Sequence, residues 1–137
     1  MFKKIMVPTD LAHADKLDKA LQLAGDLSKQ YGAEVVLLGV STSAPSAVAH
    51  DPAEYAEKLQ AFAARQSEKW GAGFTSKPVA SHDPARDLDQ TLERQVKETG
   101  ADLVVMASHV PGFFSHVFSS NAGYLAAHSA VSVFVVR

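Results

Sequence analysis

Short runs of consecutive apolar residues alternate along this chain with longer stretches where apolar residues recur every three or four positions. That alternation predicts strands exchanging with helices. Ile5-Met-Val7 is a brief apolar run ended by Pro8-Thr9-Asp10, as expected of a central strand. Leu17, Ala20, Leu21, Ala24 and Leu27 then follow a helical stripe to Tyr31, and Gly32 supplies a C-terminal cap. Val35 to Val40 is a second all-apolar run, which belongs in a sheet covered on both faces. Ser41 to Asp51, rich in Ser, Ala and Pro, reads as a loop. A second helix carries Tyr55, Leu59, Phe62 and Trp70 on roughly one face. Phe74 to Ser81 is a weaker strand whose Pro78 argues for a sheet edge.

The third helix opens on Asp83-Pro84, a capping residue followed by a first-turn proline. Leu88, Leu92 and Val96 form its stripe, and Gly100 ends it. Leu103 to Met106 and Val131 to Val136 are the last two strands. Between them the pattern predicts a long loop and a short helix starting around Ser119-Ser120-Asn121. Alternating strands and helices imply right-handed crossovers and a helix-covered parallel sheet. The expectation is one α/β domain over 1–137, with five strands and about four helices. Periodicity alone leaves the strand order open.

Composition narrows the function classes. With 137 residues the chain can bury a real core, and 47% hydrophobic against 20% charged residues is ordinary for a globular protein. A net charge of −2 gives no electrostatic reason to expect a nucleic acid or an anionic membrane as partner. The absence of cysteine excludes disulfides, thiolate metal sites and cysteine nucleophiles. Met1 to Val7 leads straight into a strand, so no signal peptide is expected, nor any membrane span. A cytoplasmic location is the expectation. None of the six histidines stands in a metal-ligand spacing, and no metal site is expected from protein residues alone. Ser108, His109 and Asp10 could meet at the sheet's carboxyl edge. Without a nucleophile motif, however, a hydrolase is the least favoured reading.

Several motifs together resemble the universal stress protein family. They are Ile5-Met-Val-Pro-Thr-Asp10, Gly100-Ala-Asp-Leu-Val-Val-Met-Ala-Ser-His109, Ser119-Ser-Asn-Ala122 with His128, and Val133-Phe-Val-Val-Arg137. The resemblance covers the whole chain. It implies a flavodoxin-like, doubly wound sheet of order 3-2-1-4-5 and a homodimer paired through the last strand. Val131, Val133, Phe134 and Val135 are then interface candidates. Phe113 and Phe114, apolar in a loop, would contact the second subunit or close over the pocket.

The resemblance also implies an adenine-nucleotide site, with ATP and Mg²⁺ as the expected ligands. Pro8, Thr9 and Asp10 would follow the first strand, with Asp10 near a ribose or a metal. Val40 would hold the base through backbone groups. Met106, Ala107, Ser108, His109, Val110, Ser119, Ser120 and Asn121 would line the phosphate side. The ATP-binding branch places glycines where this chain has Ala107, Val110 and Ser119. Glycine lets backbone N–H groups approach a phosphate and take a positive φ, which a β-branched valine resists. The A-S-H-x-P and S-N-A strings resemble a subgroup that already departs from the glycine pattern. Asp10 has an alternative as a helix cap, and so do Ser119, Ser120 and Asn121. Three outcomes stay open: a degraded site in a binding and signalling protein, a working ATP binder with slow hydrolysis, and a structural module with a filled pocket.

Overall fold

Five parallel strands form one sheet in the order β3-β2-β1-β4-β5. They are β1 (Lys4–Thr9), β2 (Glu34–Thr42), β3 (Phe74–Ser81), β4 (Leu103–Ala107) and β5 (Ser132–Val136). The helices are α1 (Asp18–Tyr31), α2 (Pro52–Trp70), α3 (Pro84–Thr99) and α4 (Ser115–His128). A 3-10 helix, Leu11–Lys16, follows β1. The computed structural model describes residues 1–107 and 115–137, and at positions 85 and 115–120 the backbone alone.

Side-chain alternation assigns the two faces. Leu103, Val105 and Ala107 of β4 join Ile5, Val7, Val35 and Leu37 in a core with Leu21, Ala24, Leu59 and Phe62 of α1 and α2. Val104 and Met106 point the other way, joining Met6 and Leu38 in a core with Leu88, Leu92, Val96 and Leu125 of α3 and α4. The all-apolar strands are therefore those covered on both sides. β3, interrupted by Pro78, is an edge. Asp51 and Asp83 cap α2 and α3 by accepting the N–H groups of Glu54 (2.8 Å) and Arg86 (3.2 Å), each just before a first-turn proline.

The pattern differs from expectation in three places. The 3-10 turn before α1 has no apolar stripe to announce it. β2 runs on to Thr42, because Ser41 and Thr42 still pair with Ala80 and Ser81. α4 begins at Ser115, so Ser119, Ser120 and Asn121 lie in its second turn rather than at its start. Their N–H groups therefore fall beyond the free first turn of the helix.

Gly39 shows how tightly α2 is seated. A Cβ there would stand 2.6 Å from the Tyr55 hydroxyl and 2.8 Å from Leu59 Cδ2, inside van der Waals contact. Gly39→Ala is expected to cost about 1–3 kcal/mol by overpacking. Urea unfolding checks this; a loss below about 0.5 kcal/mol would mean that Tyr55 retreats freely.

Candidate functional site

The strand order fixes where the sheet opens. β1 lies between β2 and β4, and successive connections leave it toward opposite edges, which makes its carboxyl end a topological switch point. A cleft of about 40 Å³ lies there. It is lined by Pro8, Thr9 and Asp10 at the end of β1, Leu38 and Val40 of β2, and Pro84, Leu88 and Leu92 of α3. Four residues singled out from sequence, Pro8, Thr9, Asp10 and Val40, thus come together. The α3 wall and Leu38 were not foreseen as site residues, because an apolar helical stripe looks the same whether it covers core or cleft.

The cleft offers few polar groups. Thr9 is buried, and its hydroxyl donates to the Val7 carbonyl (3.0 Å). Among the described residues, Asp10 is the only charged one in the lining. Its carboxylate caps the 3-10 helix: Oδ1 accepts the Ala12 N–H (3.1 Å), and Oδ2 lies 2.8 Å from His13 Nδ1. The capping alternative for Asp10 is therefore realised. His13 escaped attention in the sequence, although its spacing three residues beyond an Asp cap was the available signal. Behind this pair, burial pushes the Tyr55 phenol well above its ordinary value, and the charge of Asp10 adds to the effect.

The phosphate-side candidates separate. Met106 and Ala107 are buried in β4. Ser108, His109, Val110, Phe113 and Phe114 lie outside the described residues, as do the side chains of Ser119 and Ser120. Asn121 is 1% exposed, and its Nδ2 has no hydrogen-bond partner among the described residues. No three His, Asp or Glu side chains among the described residues converge as a metal site would require. Each Asp10 oxygen already accepts one hydrogen bond, so Mg²⁺ would have to share this carboxylate with the Ala12 N–H and His13.

A five-stranded parallel sheet of order 3-2-1-4-5, with a cleft at its switch point, defines a flavodoxin-like α/β protein. The model of the universal stress protein family matches residues 1–137, and the chain belongs to that family. It is similar to universal stress protein G of Shigella flexneri, at 29% identity over 143 residues and the full length of both chains. Among solved structures it resembles the universal stress protein from Archaeoglobus fulgidus in complex with dAMP. There the TM-score is 0.69 at 15% identity, covering 98% of each chain. It also resembles a universal stress protein in complex with cAMP, with a TM-score of 0.70, 18% identity, and 99% and 97% of the two chains covered. No helix among the described residues is long and apolar enough to cross a membrane.

A second polar cluster lies where α3 meets α4. The Tyr124 hydroxyl donates to Glu93 (3.1 Å), and its ring stacks on His128 at 4.2 Å. One turn earlier on α3, Asp89 has a buried Oδ1 with no hydrogen-bond partner among the described residues. Burial raises its pKa above the ordinary 3.8, opposed by the charge of His128. The folded state therefore holds this proton more tightly than the unfolded chain, and the contribution to stability is lost as pH rises through the raised value. Asp89→Asn is expected to gain stability over wild type at about pH 7 but not at about pH 3, where both carboxyls are neutral. Denaturant midpoints at the two pH values check this, and parallel pH profiles would refute it.

Proposed function

We propose that the protein binds adenine nucleotides at the carboxyl end of β1. It acts in the stress response by binding and signalling, as a homodimer, rather than by turnover. The observation that carries this is the open apolar cleft at the switch point. The apolar walls of Pro8, Leu38, Val40, Pro84, Leu88 and Leu92 suit the faces of a flat base. Relatives of the same fold whose solved structures contain dAMP or cAMP support the choice of an adenine ligand. The phosphate grip is weak in this proposal. Ala107 and Ser119 stand where glycines would let the backbone approach, and Ser119 lies past the first turn of α4.

The dimer follows from the contrast between the two sheet edges. β3 is protected by Lys77 and Pro78. β5 offers Ser-Val-Phe-Val-Val, with Phe134 48% and Val135 42% exposed. In register, Phe134 stands beside Val105 and Val135 beside Met106, so apolar side chains are exposed on both faces of this edge. A second copy of the strand would cover them. Val131 and Val133 pack against the α3–α4 core and would support the edge from inside.

Calorimetry with AMP and ATP tests the site. AMP and ATP are expected to bind within about tenfold of each other, since the phosphate tail adds little. Val40→Trp, which fills the cleft, should weaken both by at least about tenfold with the circular dichroism spectrum unchanged. No binding heat for either at millimolar concentration would refute the site. Phe134→Asp with Val135→Asp should convert the dimer to monomer in sedimentation equilibrium, because two charges would be buried unpaired. A wild-type monomer would refute the dimer.

A further inference from the structure

The contacts of Asp10 bear on which part of a ligand the cleft reads. A vicinal diol, such as that of a ribose, is commonly read by a carboxylate accepting from its hydroxyls. Among the described residues Asp10 is the only charged one lining the cleft, and the Thr9 hydroxyl already donates to the Val7 carbonyl. Yet Asp10 is closed on itself. Oδ1 is held by the Ala12 N–H and Oδ2 by His13 Nδ1, while the His13 backbone N–H returns to the Asp10 carbonyl at 3.0 Å. The chain leaves helical geometry at His13 (φ −127°, ψ 36°), where the imidazole meets the carboxylate. The Asp10 side chain is left 15% exposed, with His13 more open at 32%.

From this geometry we infer that His13 clamps Asp10 away from the ligand, making the cleft read the base while remaining blind to the sugar hydroxyls. This rests on the nucleotide site proposed above. Each Asp10 oxygen already accepts one charge-assisted hydrogen bond, so a diol hydroxyl finds only the remaining lone pair of a part-neutralised, mostly buried carboxylate held in place by His13, and the added contact yields little net gain. The base, by contrast, needs only apolar walls and backbone groups, which the cleft supplies without rearrangement. His13 is thus a specificity-determining, positioning residue, and the preferred ligand class is adenine nucleotides irrespective of 2′-hydroxylation.

The test compares AMP with dAMP by calorimetry on wild type, His13→Ala and His13→Asn. Wild type should bind the two within about twofold, while His13→Ala, with Asp10 freed, should favour AMP by about fivefold or more. His13→Asn, whose amide can still donate to Asp10, should behave as wild type. A wild-type preference for AMP of about tenfold or more, or an unchanged ratio in His13→Ala, overturns the clamp and leaves the nucleotide site standing. No binding by any of the three overturns the site and the inference together. Nitrogen-15 spectra of the imidazole give a readout without ligand: the clamp requires a protonated, hydrogen-bonded Nδ1. A bare Nδ1 sinks it whatever the nucleotides do, including where His13→Ala unfolds.

Discussion

The double pairing of β1 is the constraint on which the rest depends. At its amino end three strands are tied by short polar contacts: the Asp102 carboxylate accepts the N–H groups of Lys3 (2.9 Å) and Lys4 (3.1 Å). Glu34 N–H donates to the Lys3 carbonyl and Asp102 N–H to that of Lys4. With β2 and β4 locked to β1 at that end, the connections at the other end depart to opposite sides. The cleft is what their divergence leaves between Pro8, Val40 and the first turns of α3. Gly39 seats α2 on the sheet face opposite the cleft, because only a residue without Cβ leaves room for Tyr55.

Much of this was legible in the sequence, for identifiable reasons. Leu88, Leu92 and Val96 recur at helical spacing behind an Asp-Pro start, and two local signals that agree are hard to misread. Strand order was not legible from periodicity, since an apolar run says that a strand is buried and not which strand lies beside it; the family resemblance supplied it. α4 was misplaced because Ser119-Ser-Asn121 has the composition of a cap, and because the helix's apolar residues do not gather on one face. The walls of the cleft stayed hidden for a related reason. Leu38 and Leu92 are core by every sequence criterion, and only the topology leaves an opening beside them.

The two edges of the sheet divide its labour. β3 carries Lys77 and Pro78 facing no further strand, a composition that discourages pairing. β5 carries none of these devices, and its exposed Phe134 is a poor surface for a monomer. Val133 of β5, and Val131 just before it, also pack against the core shared by α3 and α4. Covering that edge would therefore consolidate the side of the sheet that carries the polar α3–α4 seam, where Asp89 and Asn121 each have a buried atom without a hydrogen-bond partner among the described residues.

The caps at the two ends of the sheet argue for a base-directed site. The positive-φ glycines among the described residues, Gly32, Gly71 and Gly100, all end helices at the amino edge, where chains turn back into strands. At the carboxyl edge the turns close with aspartates instead: Asp10, Asp51 and Asp83 each accept a backbone N–H from the helix that follows. A helix N-terminus attracts a phosphate through its free N–H groups and positive dipole end. Here three such ends already hold a carboxylate of the chain's own, so an incoming phosphate meets compensated dipoles and like charge. Among the described residues, what the carboxyl edge retains for a ligand is the apolar cleft between them, which would hold a nucleotide chiefly by its base.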